Sequence, residues 1–125
     1  IGSTKKLNTA AGLIQQSLNE MIIFTEKLKG KKETVMGLAG IADLYVSADG
    51  GRNSKMGKYL GEGMTFKDAK KNKMPKETIE GADLSLEIGV KVKNDFDVKT
   101  LPLMISVINS ICDEKKLIIE WNNFI

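Results

Sequence analysis

Apolar positions recur with a helical period along most of the chain. Leu7, Ala11, Ile14, Leu18, Met21, Ile22, Thr25 and Leu28 step at three- and four-residue intervals, as one face of a long helix does. Gly30 is its stop signal, and Asn8 or Thr4 its candidate cap. Lys27, Lys29, Lys31 and Lys32 gather at its C-terminal end. Positive charge suits the helix dipole there, so a solvated helix end is favoured over a polybasic patch. Residues 33–47 read as one or two short helices broken by Gly37 and Gly40. Met56, Tyr59 and Leu60 predict a short amphipathic helix closed by Gly61 and Gly63. Thr65 followed by Asp68 is a cap pattern that predicts a helix over 66–71. Lys70, Lys71 and Lys73 then fall in a polar connector ending at Pro75, read as the main flexible loop.

The second half is less regular. Ala82, Leu86 and Val90 predict a helix from Ile79 to about Lys93. A strand over 84–92 competes, because Leu84, Leu86, Ile88, Val90 and Val92 alternate. Ala82, Glu87 and the helical neighbours favour the helix. Asn94-Asp95 marks a loop, Pro102 suits a first helical turn, and Leu103, Val107, Ile108 and Ile111 continue with helical spacing. Leu117, Ile118, Trp121, Phe124 and Ile125 predict a short apolar helix that closes the core. The expected fold class is all-α, a single multi-helix domain over residues 1–125.

Composition narrows the function. At 125 residues the chain can bury one real core. A formal net charge of +3 is too mild to demand nucleic acid or a membrane surface. No apolar run approaches the roughly 20 residues of a membrane span, and no signal peptide is evident. The lone Cys112 cannot form an internal disulfide and points to a reducing, cytoplasmic setting. It lies on the apolar side of its helix and reads as an inert core thiol rather than a nucleophile. With no histidine and one cysteine, a metal site is not expected. The six methionines form no stripe and read as core filler and loop residues. The chain opens on Ile1 and enters a helical pattern almost at once, which suggests a piece of a longer chain.

Candidate chemistry concentrates between Gly37 and Asn53. Asp43 stands in an apolar run, either as a surface residue or as a buried acid with a partner, and the surface reading is favoured. Ser47 is four residues on, so it shares a helix face with Asp43, or else simply caps. Gly50-Gly51 then leads into Arg52-Asn53 at a helix start. Such an end presents unpaired N–H groups that favour anions. A guanidinium there can fork onto a phosphate, or form a surface salt bridge. Asn53 can donate to a phosphate or cap. Together these residues point to a site for an anionic small molecule, a phosphate ester. Glu80, ahead of Gly81, is a first-turn acid that suits the dipole of the next helix. Asn8 and Thr9 could cap the first helix or face the same cleft.

The run Gly-Leu-Ala-Gly-Ile-Ala-Asp-Leu, followed by Ser47 and Gly-Gly-Arg-Asn, resembles the C-terminal substrate domain of NAD(P)-dependent sn-glycerol-3-phosphate dehydrogenase. Asn8-Thr9-Ala10-Ala11 with Leu18-Asn19-Glu20-Met21, Glu80-Gly81 and Leu101-Pro102-Leu103 resemble flanking parts of that domain, so the likeness spans nearly the whole chain. It implies an oxidoreductase of glycerol-3-phosphate metabolism and phospholipid biosynthesis that interconverts dihydroxyacetone phosphate and sn-glycerol 3-phosphate with NAD or NADP. It also implies packing against an N-terminal Rossmann domain, with the active site between the two, and a homodimer. By resemblance, Asp43 is an active-site acid that helps order a catalytic lysine and the substrate. Ser47 stands where the family usually has threonine. Arg52 and Asn53 match residues that hold the substrate phosphate and the cofactor pyrophosphate, and Glu80 a cofactor-contacting position. The family's catalytic lysine lies upstream of the first helix, and neither Lys5 nor Lys6 sits in its motif. No Gly-x-Gly-x-x-Gly turn follows a strand, so the chain by itself is expected to be inactive. The competing reading is a stand-alone helical module for nucleic acid or another anionic partner, recognisable by steep salt dependence.

Overall fold

A computed structural model of the chain describes residues 6–124, and these form seven α-helices with no strand. Helix α1 runs Leu7–Lys27, with Lys6 at its N-cap and no side-chain cap bond. Asn8 is already inside the first turn, and Thr4 lies outside the described residues. Its buried face is Leu13, Gln16 and Glu20, not the predicted apolar stripe, of which Leu7 and Leu28 are exposed. The cause is a polar contact that counting apolar residues cannot reveal. The Glu20 carboxylate accepts Leu103 N–H at 2.7 Å, Met104 N–H at 2.7 Å and Gln16 Nε2–H at 2.8 Å. Leu103 and Met104 lie in the first turn of α7 (Pro102–Cys112), whose leading N–H groups have no partner within the helix. Pro102 at its first position has no N–H to satisfy.

Gly37 breaks the next segment as expected. Helix α2 (Lys32–Val35) gives way to a single π turn, Leu38–Ala42, which runs into α3 (Asp43–Asp49). Gly40 is buried inside the π turn, where a Cβ would fall on the Val35 carbonyl; glycine lets the turn close on α2. Helix α4 spans Gly51–Gly61 and buries Met56 and Leu60. Thr65 caps α5, its Oγ1 accepting Asp68 N–H at 3.2 Å, but α5 runs Phe66–Lys73. Lys70, Lys71 and Lys73 are therefore helical, and the expected flexible loop is not there. Met74 follows at 0% exposure, and Lys70 Nζ donates to its carbonyl at 2.8 Å, so the corner is pinned inside and out.

Helix α6 runs Glu80–Asp95, which decides against the strand and places Asn94 and Asp95 inside the helix. Leu84, Leu86 and Val90 are exposed, so the alternating pattern did not mark a buried face. Helix α7 packs along α6, and the corner between them is tied by Asp97, whose Oδ1 accepts Lys99 N–H, Thr100 N–H and Thr100 Oγ1–H at 2.8–2.9 Å. One core cluster joins Met56, Leu60, Ala69, Met74, Ile79, Ala82 and Ile111; a second joins Val92, Leu101, Ile105 and Ile108. The closing helix expected after Leu117 does not form. Residues 114–120 carry no regular secondary structure and lead into a single 3₁₀ turn, Trp121–Asn123. The period there is two, not 3.6: Leu117 and Ile119 turn inward while Ile118 is exposed. Ile125 lies outside the described residues.

Candidate functional site

The turn between α3 and α4 shapes the site. Gly50 is extended, and Gly51 takes φ +89°, a conformation that a side chain resists. This reverses the chain within two residues and sets the start of α4 beside the end of α3. Ser54 Oγ donates back to the Ala48 carbonyl at 3.2 Å and fastens the turn. Ser47 and Ala48 on α3 thereby face Asn53, Ser54 and Gly57 on α4 across a cleft of about 430 Å³. Thr9, Leu13 and Ser17 of α1 form another wall, and Leu103, Val107, Leu117, Ile119 and Trp121 close it from α7 and the segment after it. The cleft is mostly apolar, with hydroxyl and amide groups at its α1, α3 and α4 walls.

The predicted site residues divide into three groups. Ser47 and Asn53 line the cleft, and Thr9 joins them from α1. Asn53 also reaches outward, its Oδ1 accepting Gly81 N–H at 3.0 Å. Beside it, Arg52 Nη2 donates to Glu80 Oε1, an ion pair whose side chains are 50% and 56% exposed. Two consecutive residues at the start of α4 thus engage two at the start of α6, although 28 positions separate each pair. Asp43 stands apart, exposed at the first position of α3 and one turn before Ser47, and is not a cleft-lining residue.

Some of the site was not foreseen. Gly57 and Gly61 follow the foreseen Asn53 on one face of α4, and those glycines at four-residue spacing were the available signal. Glu20 carried a signal too, as an acid one turn after Gln16 inside an apolar helix. Cys112 is only half-buried, with Sγ donating to the Ser85 carbonyl at 3.2 Å, and burial raises its thiol pKa. That suits a packed thiol, not a nucleophile. Among the described residues no cluster of His, Cys, Asp or Glu could hold a metal, and no helix is long and apolar enough to cross a membrane.

The family model described as NAD-dependent glycerol-3-phosphate dehydrogenase C-terminus matches residues 2–121. The chain belongs to this family. A Phytoplasma mali (strain AT) protein named glycerol-3-phosphate dehydrogenase, NAD(P)+, is 35% identical over 121 residues, covering 94% of this chain and 35% of that protein. A Stenotrophomonas maltophilia (strain K279a) protein of the same name is 46% identical over 65 residues, covering 50% of this chain and 19% of that protein. Its counterpart in Xanthomonas oryzae pv. oryzae (strain MAFF 311018) is 43% identical over 65 residues, again 50% of this chain and 19% of that protein. The chain therefore spans about a third or less of these relatives. No solved structure matches it. The all-helical architecture agrees with the expected fold class, and the glycerol-3-phosphate dehydrogenase family with the expected resemblance.

Proposed function

We propose that this domain supplies the substrate wall of a nicotinamide-dependent oxidoreductase that interconverts dihydroxyacetone phosphate and sn-glycerol 3-phosphate. The observation that carries the reading is the Gly50-Gly51 turn, which puts the Ser47 hydroxyl and the Asn53 amide on one cleft, with Arg52 the residue next to Asn53 at the start of α4. A small phosphate ester needs these groups: short polar arms for its hydroxyl or carbonyl, and a guanidinium for its phosphate. In this reading Asp43, exposed at the start of α3, meets the reacting end together with a lysine supplied from outside the helical domain.

The cofactor, NAD or NADP, supplies the hydride. Among the described residues there is no strand, so the βα turn that cradles a dinucleotide has no counterpart here. Arg52 and Glu80 are the groups suited to touch it, the guanidinium at a phosphate and the carboxylate at a hydroxyl, while a companion Rossmann domain would hold the rest. The exposed apolar side chains of Leu7, Leu38, Tyr45 and Val46 suit a domain that packs against a companion. A homodimer is part of the same reading.

The test is an assay of the full-length parent with dihydroxyacetone phosphate and each reduced nicotinamide. Oxidation of the nicotinamide that depends on the ketone phosphate supports the reading, and its absence with both cofactors overturns it. In an active parent, Asp43→Asn is expected to lower kcat far more than it weakens cofactor binding.

A further inference from the structure

Arg52 already has an anionic partner within the domain. Its Nη2 donates to Glu80, and the neighbouring Asn53–Gly81 hydrogen bond holds the two helix starts together. Nη2 belongs to both two-nitrogen faces of a guanidinium, side-on with Nε and end-on with Nη1, so a carboxylate on it crowds either bidentate approach of a phosphate. The pair is half exposed on both sides, which makes it weak enough to exchange.

We propose that Glu80 is a built-in competitor for Arg52: an incoming phosphate takes the guanidinium from the Glu80 carboxylate, and that swap sets the affinity of the site. The inference rests on the phosphate-site reading above. Two effects act in the same direction. A guanidinium held by Glu80 for part of the time binds phosphate with an affinity reduced by that fraction. A carboxylate left next to the phosphate also repels it, by about a factor of two per unit charge at physiological salt. Orientation of Arg52 by Glu80 acts the other way, but a half-exposed pair restrains a long side chain weakly. Competition therefore wins. Asn53 needs no exchange, because its contact to Gly81 uses only the amide oxygen and leaves the amide nitrogen free to donate.

The experiment is a titration of the full-length protein with inorganic phosphate at pH 8 and fixed salt, followed by the amide signals of Asn53 and Gly81. Wild type is compared with Glu80→Gln, Arg52→Ala and the double variant. Glu80→Gln is expected to bind phosphate roughly two- to fivefold more tightly, the span of an exposed ion pair, and the gain is expected to shrink when Arg52 is alanine to no more than the relief of repulsion. Unchanged or weaker binding in Glu80→Gln overturns the exchange. So does an equal gain in the Arg52→Ala background, which would mean simple repulsion or direct contact. If Arg52→Ala itself loses no affinity, the phosphate site fails and the exchange fails with it; a loss there without a gain in Glu80→Gln sinks the exchange alone.

Discussion

Two junctions in this domain use the same device, a glutamate at the start of a helix, and put it to opposite uses. At the α1–α7 junction Glu20 is 2% exposed and accepts three hydrogen bonds, two of them from the leading N–H groups of α7. At the α4–α6 junction Glu80 is exposed in the first turn of its own helix and holds one guanidinium. The first carboxylate is buried and triply engaged, so an incoming anion does not displace it. The second is wet and singly engaged, so an anion can. Burial, not residue type, separates a strut from an exchangeable contact.

Removing the strut is the hardest test of that contrast. Glu20→Ala removes the acceptor of the part-buried Leu103 and Met104 N–H groups and of one buried contact from Gln16. A destabilisation of about 3 kcal/mol or more is expected, because charge-assisted bonds and unsatisfied buried donors each count heavily. Denaturant unfolding of the full-length protein measures it, and a loss under about 1 kcal/mol would erase the distinction between the junctions. Arg52→Ala ranks next. It should leave stability almost untouched and weaken phosphate-bearing ligands by roughly 1.5–3 kcal/mol, the worth of a charge-assisted hydrogen bond. Inhibition and binding measurements on the parent read this directly, and a stability loss matching that of Glu20→Ala would show that the α4–α6 contact is a strut as well.

The two junctions were unequally legible from the amino-acid order. Glycines, the Thr65 cap and Pro102 act within a few residues of themselves, so α1, α4, α5, α6 and α7 could be placed to within a few positions, and α2 and α3 only as one or two short helices over 33–47. The Gly50-Gly51 turn and its Arg-Asn pair stood out for the same reason. What bridges distant segments did not. Glu20 meets Leu103 across 83 positions and Arg52 meets Glu80 across 28, and no periodicity encodes such a pairing. The stripe assigned to α1 failed because its buried face includes two polar residues, Gln16 and Glu20. The tail failed because three consecutive apolar residues, Leu117 to Ile119, fit either period, and the short loop length after Cys112 favoured neither.

Ser110 offers a smaller and cleaner variation. It sits on α7 at 1% exposure, and its Oγ has no hydrogen-bond partner. It is thus buried like Glu20 but unengaged like a surface group. Ser110→Ala should be neutral or stabilising, by up to about 1 kcal/mol, since it removes an unpaired polar atom. Destabilisation beyond that in the same denaturant experiment would mean that the hydroxyl contributes to the packing of α7.

Asp97 completes the comparison at the other end of the scale, because it serves the approach to α7 from outside. Hydrogen bonds from Thr100 backbone and side chain, and then from Lys99, lower its carboxyl pKa below the usual value of 3.8, in a fully solvated setting. Its sign follows from linkage. A lowered folded-state pKa gives stability that is present above the unfolded value near 3.8 and is lost as pH falls through the folded one. Thermal melts of wild type and Asp97→Asn should therefore converge between pH 4 and pH 2, approximate limits set by that linkage, with wild type the more stable only on the higher side. Since the group is exposed, the gap should be far smaller than the loss in Glu20→Ala and should leave Glu20 to dominate what holds α7 in place. A gap that persists unchanged at the acid end would show that Asp97 acts through its shape in the turn and not through its charge.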